Sequence, residues 1–301
     1  MIRDQIDLHV SPSYAFSGCC RTFEDSRFVV LGVPFDSTST YRSGSKFAPS
    51  AIRDASLNIE TYSMRSGFDV EDASICDIGD LHIVDNVVET LRRLRQVERE
   101  ITDSSKIPLV LGGEHTITLG AVQAFPTDTG IMCLDAHADM RDEYNGSRIM
   151  HATFLRRIIE LVGPDRVIHV GLRAICKEEL AYIQKNKLRH FPMQDLKRQT
   201  AEGAARLIQS AVANYERLYV TVDMDVFDPA FAPGVGNPEP DGMSPDLCFT
   251  ILSHCAEKLA GFDLVEITPH HDRGITAVLA AKLVFEVISA SEAARTKDVR
   301  E

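Results

Sequence analysis

The stretch GIMCLDAHADM, residues 130–140, carries an apolar run straight into Asp135, His137 and Asp139, with alanine at the two positions between. LYVTVDMDVFDP, residues 218–229, does the same with Asp223 and Asp225. Neither places a basic residue among its acids, so packing alone gives no reason for the pattern. Short runs that are apolar almost throughout suit strands covered on both faces. Alternate residues of an extended chain point the same way, so each run can aim its polar residues at one point beyond a sheet.

Six more runs have this character, at 28–33, 74–78, 107–111, 166–172, 188–191 and 262–267. Between the eight lie stretches with apolar residues three and four apart, among them 85–103, 152–162, 201–216 and 276–294. That spacing predicts amphipathic helices. Ser244 before Pro245 has the form of an N-cap and first helical position. Strand and crossover helix in alternation predict an α/β fold, a mostly parallel sheet with helices on both faces, in one domain spanning residues 1–301. Such sheets bind ligands beyond the carboxyl ends of their strands, where these acidic positions fall.

IPLVLGGEHTITLG, residues 107–120, supplies a third strand end, with Gly112 and Gly113 allowing a close turn before His115. Six candidate metal ligands result: His115, Asp135, His137, Asp139, Asp223 and Asp225. Four carboxylates and two imidazoles without a thiolate suit Mn²⁺ better than a structural zinc, which prefers cysteine. Four negative charges so close would repel one another strongly, and two divalent cations would neutralise them. A lone Asp after a strand is usually a cap or turn residue, and a lone His in such a turn is usually a satisfied polar group. The set as a whole is harder to reach by chance. No Gly-Lys-Ser or GxGxxG follows a strand, which argues against a nucleotide site.

The bulk composition narrows the partners. A net charge of -12 repels phosphate backbones and anionic headgroups, and no Lys/Arg cluster interrupts it. The expectation is therefore no nucleic acid, no membrane, and a small cationic substrate. No apolar run approaches a membrane span and the N-terminus lacks the pattern of a secretory signal, which predicts a cytoplasmic protein. Seven cysteines without framework spacing, with neighbours Cys19 and Cys20 poorly placed to pair, are expected to be reduced.

Several segments carry a specific resemblance: GGEH at 112–115, DAHAD at 135–139, MHATFLRR at 150–157 and DMDVFDPAFAPGVGNPEP at 223–240. Weaker matches lie at 32–53, 77–80 and 265–272. In these the chain resembles the ureohydrolases, the family of arginase and agmatinase, most closely agmatinase. The resemblance implies the three-layer α/β/α arginase-like fold with an eight-stranded sheet, two Mn²⁺ ions per subunit on the six residues named, and a homotrimer or homohexamer. It also implies a proton-moving His at His151 and a guanidinium-gripping Glu at Glu266, with Asp228, Pro229 and the 234–238 loop as a shaping element beside the metals.

The chain departs from the family pattern at Gly236-Asn237-Pro238, at Asp241-Gly242-Met243 and at Ala48. Asn237 keeps a hydrogen-bonding side chain and is a candidate substrate contact. The loop from Met140 to Met150 lacks the Asn and Ser expected of an arginase. It offers Asp142 and Glu143 to a terminal amine, whereas Arg141 or Arg148 could pair with a carboxylate. The expected reaction is agmatine and water to putrescine and urea, ahead of N1-aminopropylagmatine, guanidinobutyrate or arginine. A zinc deacetylase of the same fold and a non-catalytic guanidino-binding member are the other readings. His270, His271 and Asp272 resemble metal ligands, yet adjacent histidines on a loop point apart and belong to the surface or to a supporting layer.

Overall fold

A computed structural model describes residues 4–19 and 21–298, so Cys20 and the extreme termini lie outside the described residues. The strands are β1 (Val10–Ser11), β2 (Phe28–Gly32), β3 (Tyr62–Ser63), β4 (Phe68–Asp69), β5 (Ile75–Leu81), β6 (Ile107–Leu111), β7 (Gly130–Leu134), β8 (Val167–Leu172), β9 (Arg189–Pro192), β10 (Leu218–Asp223) and β11 (Leu259–Val265). Except for the small β3–β4 hairpin they form one sheet in the order β1-β5-β2-β6-β11-β10-β7-β8-β9. The eight expected strands are all present and parallel. The expected count of eight is corrected to nine by β1, which pairs antiparallel with β5 at the edge. Two residues are too few to show an alternation in sequence.

Both faces are covered, and this explains the unbroken apolar runs. Along β2, Phe28 and Val30 enter one core while Val29 and Leu31 enter the other, and all four are fully buried. Each such side chain stabilises the fold by roughly 1.5–3 kcal/mol. Helices Ala48–Ser56, Ala201–Ala211, Pro245–Cys255 and Ile275–Asp298 pack on the first face. Helices Val87–Asp103, Ile117–Val122, Phe154–Val162 and Lys177–Asn186 pack on the second, completing a three-layer α/β/α fold. Asn86 and Thr200 cap two of these helices, and Ser244 accepts from the Leu247 amide with Pro245 at the first turn, as its sequence predicts. The DIGD segment has a structural role: buried Arg53 pairs with Asp77 at 2.7 Å and Asp80 at 2.5 Å, tying its helix to β5.

Strand order places the site. Consecutive strands β6 and β7 are separated in the sheet by β11 and β10, so the connections diverge and leave a crevice at the carboxyl ends of these four. They are the strands that lead into His115, Asp135, Asp223 and Glu266. No helix among the described residues is long and apolar enough to cross a membrane.

Candidate metal centre

At the end of β6, Gly113 packs so closely on the segment following β2 that a Cβ there would lie 1.9 Å from the Phe35 carbonyl oxygen. Close approach is why glycine is needed, and it delivers His115 into the crevice. On β7 and β10 the sequence expectation of extended alternation is modified. Each strand ends at or just before its first aspartate, which then accepts the amide of the residue two further on. Asp135 Oδ1 takes the His137 N–H at 2.6 Å, and Asp223 Oδ1 takes that of Asp225 at 2.8 Å. These turns aim the following ligand at the same point. Asp139 and Glu266 adopt left-handed backbone, φ 50° and 65°.

The six candidates converge. His115 Nδ1 lies 3.1 Å from both Asp135 Oδ2 and Asp223 Oδ2, and 3.9 Å from Asp139. His137 Nδ1 lies 2.8 Å from Asp225 Oδ2 and 3.8 Å from Asp135 Oδ1. Asp135 is thus shared by two clusters with metal-ligand spacing, one including His115 and the other His137 and Asp225. Cys133 approaches the first, but burial and the carboxylates of Asp135 and Asp139 push its thiol well above the usual range.

The donor set calls for cations. Asp135 Oδ2 is buried without a hydrogen-bond partner. Burial, then the charge of a neighbouring aspartate, drives Asp139 and Asp223 well above the carboxylate range. For His137, burial resists ionisation, yet Asp225, Asp135 and Asp139 prevail and hold its pKa at about 10. A cluster that captures protons so strongly fits two divalent metals, which would displace them. Its four aspartates and two histidines form a candidate binuclear metal centre.

Behind the centre, His115 Nε2 meets Thr221 Oγ1 at 2.8 Å, and that hydroxyl donates to Asp263 Oδ1 at 2.5 Å. In front lies a cleft of about 520 Å³ lined by His137, Asp139, His151, Asp223, Asp225 and Glu266 among others. Glu266 Oε1 accepts the His115 amide at 2.8 Å. A Cβ on Gly236 would lie 2.9 Å from Glu266 Oε2, so glycine keeps that oxygen unobstructed. Burial, then nearby Glu114, raises the Glu266 carboxyl well above its usual range, a condition that a bound cation would relieve.

Residues 26–289 match the model of the arginase family. The chain belongs to the arginase family. It is 35% identical to N(1)-aminopropylagmatine ureohydrolase of Thermococcus kodakarensis over 89% of this chain and 91% of that one. It is 34% identical to an agmatinase of Bacillus cereus, covering 89% and 92% of the two. The solved agmatine ureohydrolase of Thermoplasma volcanium superposes with a TM-score of 0.90 at 35% identity, covering 95% of this chain and 97% of that one.

For this arginase-family chain the remaining sequence candidates divide. Asn237 lines the cleft, as does Arg141, whose guanidinium lies over the Tyr144 ring. Asp142 and Glu143 are not among the lining residues. Asp142 is instead turned toward Arg157 and Arg148, at 2.8 and 2.9 Å, with Arg156 at 3.6 Å. Three arginines outside the cleft hold this carboxylate and so keep it from lining the site. His270 and His271 are exposed, His270 against Phe47, and Asp272 binds the backbone of Gly274 and Thr276. Asp228 accepts the amides of Ala230 and Gly242 and so closes the expected shaping loop.

Glu239 and Arg173 line the cleft without having been singled out in the sequence. Glu239 comes within 3.9 Å of His137 Nε2 with its side chain 40% exposed. Arg173 donates to the carbonyls of Asp225, Val226 and Phe227 and of Glu239 and Pro240, joining the metal-side turn to the 237–240 loop. The glutamate could have been suspected from its place in GNPEP; nothing in the local sequence distinguishes the arginine.

Proposed function

We propose that the chain hydrolyses the guanidino group of agmatine, releasing putrescine and urea, with two Mn²⁺ ions as cofactors. The observation that carries this reading is Glu266, a buried carboxylate lining the cleft, beside a cluster that calls for two metals. His115, Asp135, His137, Asp139, Asp223 and Asp225 would hold the two metals, which when bound would supply Lewis acidity and bring the pKa of water toward about 7. Glu266 pairs with the substrate guanidinium and fixes its carbon for attack. Burial, then the charges of His137 and His115, lower His151 to about 4, so it is neutral near pH 7. It can accept a proton released from water and pass it to the departing amine. One water is consumed, one C–N bond breaks, and the amine leaves protonated.

The distal end of the substrate meets Asn237 and Glu239. An exposed carboxylate there favours an ammonium, and the net charge of -12 draws such a substrate in. N1-aminopropylagmatine is the second reading, favoured by the relative of that activity at 35% identity. The test is urea release by Mn²⁺-loaded protein from agmatine, N1-aminopropylagmatine, guanidinobutyrate and arginine. Agmatine is expected to give the highest kcat/KM, with Glu266→Gln reducing it at least about 100-fold. Preference for a carboxylate-bearing guanidine would overturn the substrate assignment and leave the chemistry; no urea from any of the four, with two metals bound, would overturn both.

A further inference from the structure

The glutamate of GGEH has no part in the metal cluster, and FDSTST, residues 35–40, has none in the chemistry above. The fold brings the two together around His151. Thr38 Oγ1 lies 3.2 Å from His151 Nδ1 and accepts the His151 backbone N–H at 3.2 Å. Thr40 Oγ1 lies 3.2 Å from Nε2. Glu114, fully buried, fixes the threonine loop: its Oε2 accepts the amides of Ser37 and Thr38 at 2.9 and 2.7 Å. Its Oε1 accepts the hydroxyls of Thr38 and Thr116 at 2.5 and 2.7 Å.

A hydroxyl has one hydrogen to give. For Thr38 the candidates are the Glu114 carboxylate at 2.5 Å, Thr116 at 3.3 Å and His151 Nδ1 at 3.2 Å. The carboxylate bond is much the shortest and is assisted by charge. With its hydrogen committed to Glu114, the Thr38 oxygen can only accept from Nδ1. We infer that Glu114, acting through Thr38, holds His151 in the tautomer protonated on Nδ1, leaving the Nε2 lone pair beside Thr40 at the cleft wall. The arrangement repeats, with a hydroxyl inserted, the way a buried carboxylate fixes a neutral imidazole in hydrolytic triads. Thr38 and Glu114 are positioning residues: neither lines the cleft, and they act on the ring that moves the proton.

The inference rests on the proposed proton transfer by His151, and the experiment separates the two. Thr38→Val keeps the shape and removes the hydroxyl; Thr38→Ser restores it. In the Mn²⁺-loaded enzyme Thr38→Val is expected to lower kcat about 10- to 100-fold with KM within about threefold, and Thr38→Ser to recover most of the loss. Glu114→Gln, its metal content verified, should lower kcat similarly, and the double variant should add little. The readout independent of turnover is the ring tautomer, from two-bond ¹H–¹⁵N spectra of ¹⁵N-histidine protein loaded with diamagnetic Mg²⁺. Wild type and Thr38→Ser should carry the His151 proton on Nδ1, and Thr38→Val should lose that preference. Unchanged kcat and tautomer in Thr38→Val, or additive losses in the double variant, would overturn the inference while His151→Asn still abolishes turnover. Full activity in His151→Asn would instead overturn the proton-transfer reading beneath it.

Discussion

His115 and His137 enter one cluster from strands separated by β11 and β10, yet they are held in opposite ways. The His115 side chain is fully buried, its ring stacks on Phe154 at 3.9 Å, and its outer nitrogen is bound to the Thr221–Asp263 pair. The His137 side chain is 27% exposed, takes its orientation from Asp225, and turns its outer nitrogen toward Glu239 across 3.9 Å. One imidazole is locked by the protein before any metal arrives. The other is set by the charges around it and faces the cleft. A symmetric ligand list therefore need not make two equivalent positions, because the groups behind the ligands orient and tune them.

Asp135 is where the two halves meet, and its removal should have the largest effect. Its two oxygens face different histidines, so Asp135→Ala is expected to lose metal from both halves and to lower urea release at least about 1,000-fold. Metal analysis of the purified variant decides the matter. If it retains one ion per chain at full occupancy, the halves are independent and the shared-carboxylate argument fails.

Charge is the next lever, and it acts on the His137 half. Near Asp225 the folded pKa of His137 stands at about 10, above the 6.5 of an ordinary histidine. A histidine raised in this way stabilises the metal-free fold fully below about pH 6.5, and the contribution is lost as pH rises toward 10. Asp139 and Asp223, also raised, lose bound protons in the same direction, so their effect has the same sign. Metal-free protein should therefore melt at a lower temperature at pH 9 than at pH 6.5, by an amount equivalent to a few kcal/mol. Saturating Mn²⁺ should shrink the difference. A metal-free melting temperature that rises over this interval would contradict the charge-set account of His137.

How much of this was legible in the sequence follows from the range of each interaction. The eight parallel strands announce themselves because burial on both faces requires unbroken apolar runs, and the ligands because they stand at the ends of those runs. The edge strand Val10–Ser11 is invisible at two residues, since its pairing is supplied by β5. Asp142 illustrates a different limit. Its place in the loop suggested the cleft, whereas its orientation is set by Arg156 and Arg157 on the following helix and by Arg148, and no local pattern reveals which way a carboxylate turns. Glu239 and Arg173 escape for the same reason, their contacts being between loops distant in the chain. Glu114 was in plain view within GGEH, but its partner Thr38 is 76 positions away, and only the pair has meaning.

The smallest effects give the sharpest form of the comparison, because they come from residues that touch the histidines only from outside. Thr221→Val removes the acceptor of the His115 outer nitrogen and leaves that N–H buried without a partner. Loss of such support should weaken metal binding about 10- to 100-fold, with KM for substrate little changed once metal is saturating. Glu239→Gln keeps the volume and removes only the charge facing His137 and the cleft. With half-exposed geometry and a separation of 3.9 Å, its effect on metal affinity should be under about threefold, screened as exposed charge pairs are. Its effect should appear instead in KM for a substrate with a distal ammonium, raised a few-fold and less so at high salt. Metal titrations and initial rates on both variants test this directly. If Glu239→Gln costs as much metal affinity as Thr221→Val, the His137 half is supported from outside as firmly as the His115 half, and the contrast between a locked and a charge-set imidazole is lost.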